Sequence, residues 1–97
     1  MIANIRNNAI IFLMNNRPRK TLAALLADPV NGNLEWSKIE ALLLALGCRL
    51  IEGPGSAVTF EHSGRRANFH RPHPAKEALR YRIKAVREFL EKIGVEP

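Results

Sequence analysis

The segment from Trp36 to Gly47 constrains this chain more than any other. Ile39, Leu42, Leu43 and Leu46 recur at i, i+3, i+4 and i+7, so one face of a helix is wholly aliphatic. Ser37-Lys38-Ile39-Glu40 has capping-box spacing, in which the serine accepts from the glutamate's backbone N–H and the glutamate reaches back. Trp36 can staple the entry, and Gly47 stands where a left-handed residue ends a helix. A helix with so wide an apolar face needs a second layer to bury it.

The following residues supply that layer. Cys48 to Glu52 reads as a first strand, stopped by Gly53-Pro54-Gly55. Ser56 to Glu61 reads as a second, with Val58 and Phe60 on one face and Ala57 and Thr59 on the other. His62-Ser63-Gly64-Arg65 is the expected hairpin turn. Arg66 to Arg71 is then a third strand, with Ala67 and Phe69 facing the core and Arg66, Asn68 and His70 facing out. Phe60 and Phe69 are placed to meet across the hairpin. Pro72 and Pro74 end the strand, and a helix starting at Ala75 or Leu79 runs to Ile93 before Gly94. Its apolar stripe is Ile83, Val86, Leu90 and Ile93, with Phe89 beside it.

Upstream, Thr21 to Ala27 is rich in strong helix formers, with Leu22, Leu25 and Leu26 on one face. Asp28-Pro29 stops it, giving a short helix over 19–28, and Asn31-Gly32 supplies turn chemistry in the linker that follows. The expected fold is α+β: a two-layer α-β-β-β-α sandwich with a short extra N-terminal helix. Both main helices lie on one sheet face and leave the other open. Residues 1–33 form the extension and residues 34–97 the domain. The first 16 residues are asparagine-rich around Ala9–Met14, and the polar run after Met14 suggests that the native start is Met14, with 1–13 an upstream extension.

Ninety-seven residues make one small core. Fifteen Lys and Arg stand against nine Asp and Glu, a net charge of +6 that draws polyanions: nucleic acid, an anionic membrane or an acidic protein. The single cysteine, Cys48, can form no internal disulfide and reads as a small core residue in a reducing compartment. No Cys/His cluster has metal-ligand spacing, so neither a metal nor a small-molecule cofactor is expected. The longest N-terminal apolar run is too short to span a bilayer, and a cytoplasmic protein without membrane association is expected.

The chemistry concentrates in Phe69 to Lys76, which holds two of the three histidines. His70 and His73 can exchange protons near neutral pH, and Arg71 and Lys76 flank them as phosphate ligands. Arg65 and Arg66 lie in the hairpin. Lys76, Arg80, Arg82, Lys84 and Arg87 crowd the first half of the last helix, whereas Glu88 and Glu91 come late. The helix dipole prefers the opposite order, which points to an anionic ligand. The plainer alternative is a solvated basic face, with the prolines merely punctuating a strand and a helix.

The pattern resembles the HicA family of bacterial toxins, the mRNA-cleaving halves of HicA–HicB toxin–antitoxin pairs. The resemblance rests on the capped helix ending at Leu46-Gly47, the Gly55-Ser56 entry to the second strand, the hairpin at Ser63-Gly64, the Pro72-His73-Pro74 and His73-x-x-Lys76 features, and the helix ending Leu90 to Val95. Together these cover about residues 35–95. The resemblance implies the fold of a double-stranded RNA-binding domain, an RNA substrate and a HicB-type antitoxin partner. One departure matters. Where the family usually places a catalytic histidine after Gly-Ser, this chain has Ala57.

Metal-free hydrolysis of RNA needs a base for the 2′-OH, an acid for the leaving oxygen and cations for the developing charge. His70 and His73 are the remaining candidates for the proton transfers. Arg65, Arg66, Arg71, Lys76, Arg80, Arg82, Lys84 and Arg87 are the candidates for RNA binding, and His62 is expected to be exposed and idle. The alternatives are a relative that binds RNA without cutting it, and an element that chiefly docks an acidic antitoxin. Antiparallel pairing and side-chain alternation predict His70 beside Ala57 on the open face.

Overall fold

The computed structural model describes residues 15–27, 29, 33–73, 78 and 80–95. Helix α1 spans Asn16–Leu26 and α2 spans Trp36–Ala45. Strands β1 (Arg49–Glu52), β2 (Ala57–His62) and β3 (Arg65–His70) follow, and α3 spans Arg80–Lys92. The sheet is antiparallel in the order β1-β2-β3, so the expected α-β-β-β-α arrangement with an added N-terminal helix is present.

The core is built as the periodicities require. Ile39, Leu42, Leu43 and Leu46 from α2 are buried, as are Val58, Phe60 and Phe69 from the sheet and Ile83, Val86, Phe89, Leu90 and Ile93 from the C-terminal helix region. Each of these large side chains contributes roughly 1.5–3 kcal/mol by leaving water. Phe69 is the hub: its ring lies 5.2 Å from Trp36 and 6.4 Å from Phe60, in tilted and edge-on geometry. Cys48 is buried in the same cluster, and burial pushes its thiol up to about 11.

Both main helices end in the same way. Gly47 (φ 91°) donates to the Leu44 carbonyl at 3.0 Å, and Cys48 donates to Leu43 at 3.0 Å. Gly94 (φ 90°) and Val95 repeat the pattern on Glu91 and Leu90. These are Schellman closures, and they return the chain to the core at Cys48 and Val95.

Several local expectations are corrected. The capping box at Ser37 and Glu40 does not form: α2 starts at Trp36, its N-cap Glu35 makes no side-chain capping bond, and the Glu40 carboxylate goes to Trp36 and Arg71 instead. Burying Trp36 against Phe69 draws the indole into the first helical turn and places Ser37 inside the helix. Helix α1 begins at Asn16 rather than at 19 and ends at Leu26. Pro18 falls in its first turn, where backbone N–H groups have no intrahelical acceptor, so proline is tolerated. The hairpin turn is only Ser63-Gly64, because His62 and Arg65 pair across the strands. With φ of 52° and 79°, these two residues form the left-handed turn that matches strand twist. His62 is therefore half-buried at the end of β2, with Nδ1 3.0 Å from Ser63 Oγ, and not an exposed turn residue. Strand β1 starts at Arg49. The starts expected for the last helix, Ala75 and Leu79, and the Asn31-Gly32 turn lie outside the described residues.

Helix α1 adds Leu22 and Leu25 to the common core. Its C-terminal end is held by Arg87, whose Nε and Nη2 donate to the Leu25 and Ala27 carbonyls. A cation at a helix C-terminus satisfies both the free carbonyls and the dipole.

Candidate functional site on the open sheet face

Side chains alternate along each strand, so burying Leu50, Val58, Phe60, Ala67 and Phe69 against the helices sends the intervening residues to the other face. Three rows result. Arg49, Glu61 and Arg66 form the first, with Glu61 bridging Arg49 at 3.0 Å and Arg66 at 2.7 Å. The hydrogen bond from Arg66, with help from Arg49, holds the Glu61 carboxyl below its ordinary range. Ile51, Thr59 and Asn68 form the second, where the Thr59 hydroxyl donates to the Asn68 side-chain carbonyl. The third pairs Ala57 with His70.

This third row is the chemically distinctive one. His70 is exposed, directly opposite Ala57 in the register, and its Nδ1 lies 3.3 Å from Ser56 Oγ. The backbone secures the arrangement: Arg71 N–H donates to the Ser56 carbonyl at 2.9 Å, Ala57 to Pro54 at 3.1 Å and Gly53 to Ala57 at 3.0 Å. A Cβ at Gly53 would come 3.1 Å from that of Ala57, so a side chain there requires the two to move apart by a few tenths of an ångström. When Nδ1 carries the proton and donates to Ser56 Oγ, Nε2 is left as a free acceptor above the sheet. No side chain larger than a methyl stands opposite it.

Arg71, at the end of β3, turns away from this surface. Its Nε and Nη2 bind the Glu40 carboxylate at 2.8 and 3.2 Å, and its Nη1 reaches Glu52 at 2.6 Å. Two carboxylates raise its already high pKa further, led by the hydrogen bond to Glu40. Trp36 Nε1 donates to the same Glu40 oxygen as Arg71 Nε. The indole, the carboxylate and the guanidinium thus tie the start of α2 to the end of β3. This network was hidden from sequence reasoning, because Glu40 and Arg71 are 31 positions apart and each has an obvious local explanation.

The remaining candidates divide. Arg65 and Arg66 are exposed at the hairpin, the latter already paired with Glu61. His73 is exposed on the segment that leaves β3. Arg80 and Lys84 are exposed on α3, Arg82 is half-buried, and Arg87 is engaged with the end of α1. Lys76 lies outside the described residues. The structure therefore brings His70, Ser56 and the Ala57 position together on the open face, while α3 lies across the opposite face. Among the described residues no group of three or more His, Cys, Asp or Glu side chains could hold a metal ion. No helix among them is long and apolar enough to cross a membrane.

The model of a family described as the HicA toxin of bacterial toxin–antitoxin systems matches residues 36–95, from the first residue of α2 to the end of the Schellman closure after α3. No curated protein and no solved structure matches the chain.

Proposed function

The chain belongs to the HicA family of toxins from bacterial toxin–antitoxin systems, and from that membership we propose that it is an RNA-directed toxin acting through the open sheet face. The family implies an antitoxin partner. We take that partner to be of the HicB type and the compartment to be the cytoplasm, where mRNA is the target.

The observation that carries the reading is the His70–Ala57 row. An exposed imidazole with one nitrogen at a serine hydroxyl stands opposite a position reduced to a methyl group. In the proposed reaction His70 Nε2 takes the proton of a ribose 2′-OH, and the oxygen attacks the adjacent phosphorus. The P–O5′ bond breaks, and the leaving 5′-oxygen receives a proton from His73. The products are a 2′,3′-cyclic phosphate and a 5′-OH, and no metal takes part. Arg65, Arg66 and Lys76 are the proposed phosphate ligands for this reaction, and Arg80, Arg82 and Lys84 on α3, across the sheet from His70, are proposed as a separate contact with the RNA. Arg71 acts as a positioning residue for the end of β3, because its donors are engaged by Glu40 and Glu52. Arg87 serves α1 in the same sense.

Ala57 favours a second reading, in which the protein binds RNA and antitoxin without cutting. A cleavage assay on labelled RNA in the presence of EDTA separates the two. Cyclic-phosphate ends that vanish in both His70→Ala and His73→Ala support the hydrolytic reading. Intact RNA that is nonetheless bound, with an affinity falling steeply as salt rises, supports the binding-only reading.

A further inference from the structure

The first turn of α3 carries an aromatic ring that the fold does not use. Tyr81 is 62% exposed, whereas the other aromatic rings among the described residues, Trp36, Phe60, Phe69 and Phe89, are all buried. The Arg82 guanidinium covers one face of the tyrosine ring, 5.2 Å from its centre, and the exposure leaves the other face to solvent. Arg80 and Lys84, both exposed, stand one helical turn apart, a spacing at which like charges repel. No acidic residue lies in this first turn to offset them, and the helix dipole adds to the repulsion.

Three cations and an uncovered ring thus share one short stretch of surface. An acidic protein segment satisfies the charges but leaves the ring without a flat partner. A nucleic-acid duplex also supplies phosphates, yet its base faces are closed within the stack. A single strand supplies both parts, phosphates for the cations and an unpaired base for the ring.

We propose that Tyr81, framed by Arg80, Arg82 and Lys84, is a stacking subsite for an unpaired RNA base, so that the protein selects single-stranded over duplex RNA. The proposal rests on the RNA-binding reading above. It departs from the duplex recognition by shape that the fold's likeness to a double-stranded RNA-binding domain implies.

The test uses the full chain and its Tyr81→Ala and Tyr81→Phe variants. The probes are fluorescein-labelled 2′-O-methyl RNAs, which cannot be cleaved: a single-stranded oligoadenylate of roughly 12 nucleotides and a duplex of about 16 base pairs. Tyr81→Ala weakens single-strand binding by about 5- to 100-fold and leaves duplex binding unchanged, while Tyr81→Phe binds both as the parent does. Equal single-strand affinity in the parent and Tyr81→Ala overturns the subsite, as does an equal loss on both probes or a failure of phenylalanine to substitute. If the parent binds neither probe, the RNA-binding reading falls first and the subsite with it.

Discussion

Replacing Glu40 by alanine tests whether the junction between α2 and β3 is as tightly joined as its geometry implies. The Glu40 side chain is 16% exposed and accepts three N–H donors, one from Trp36 and two from Arg71. Trp36 is 3% exposed with Glu40 in place, so removing the carboxylate takes the acceptor from an indole N–H that the fold otherwise buries. An unsatisfied buried donor costs about 1–3 kcal/mol, and a central expectation is about 2 kcal/mol. Arg71 adds nothing to this figure, because its guanidinium keeps Glu52 and reaches solvent. For a chain of this size, about 2 kcal/mol lowers Tm by roughly 10 °C. Glu40→Gln retains a carbonyl oxygen for the indole and lowers it by less than half as much. Urea and thermal unfolding followed by tryptophan fluorescence report both the stability and the surroundings of the affected indole. A Tm for Glu40→Ala within a degree or two of the parent, or a glutamine variant less stable than the alanine one, refutes the reasoning.

Three further outcomes are expected. Ala57→His keeps the fold, with stability changed by less than about 0.5 kcal/mol since the position is on the open face, and it raises the rate of RNA cleavage; a folded variant with unchanged cleavage counts against the His70 row as the reacting surface. Arg87→Ala costs about 2 kcal/mol by removing a charged donor from two carbonyls, and hydrogen exchange shows amides of α1 opening ahead of those in β2. Glu61, whose folded pKa is lowered by Arg66 and Arg49, contributes stability that is fully present above the ordinary glutamate value of about 4.3 and is lost as pH falls from there through the lower folded value; the urea midpoint of Glu61→Gln consequently falls less than the parent's between neutral pH and this acid range.

What the sequence made legible was everything that repeats. The leucine period of α2, the alternation in β2 and β3 and the stripe of α3 each state which face is buried, and the structure buries those faces. The juxtaposition of Ala57 and His70 followed from the same alternation together with a short turn. What stayed hidden were partnerships between distant residues. Glu40 looked like half of a capping box and Arg71 like a phosphate ligand, because each has a ready local reading. Only the fold brings them within 2.8 Å. Arg87 likewise belonged to a basic run until α1 placed two carbonyls beside it. The start of α1 was also missed by three residues: Pro18 sits in its opening turn, where a proline does no harm.

The two-residue turn at Ser63-Gly64 acts as the counter of this hairpin. Six pairs are set in step from His62↔Arg65 back to Ala57↔His70, and parity alone decides which side of the sheet each residue meets. A shift of one residue in the pairing would send His70 into the apolar layer and bring Phe69 out to water. The imidazole therefore owes its place to a serine and a glycine at the far end of the strand. A chain that lengthened this turn by one residue without a compensating bulge would keep every residue of the open-face site and lose the site itself.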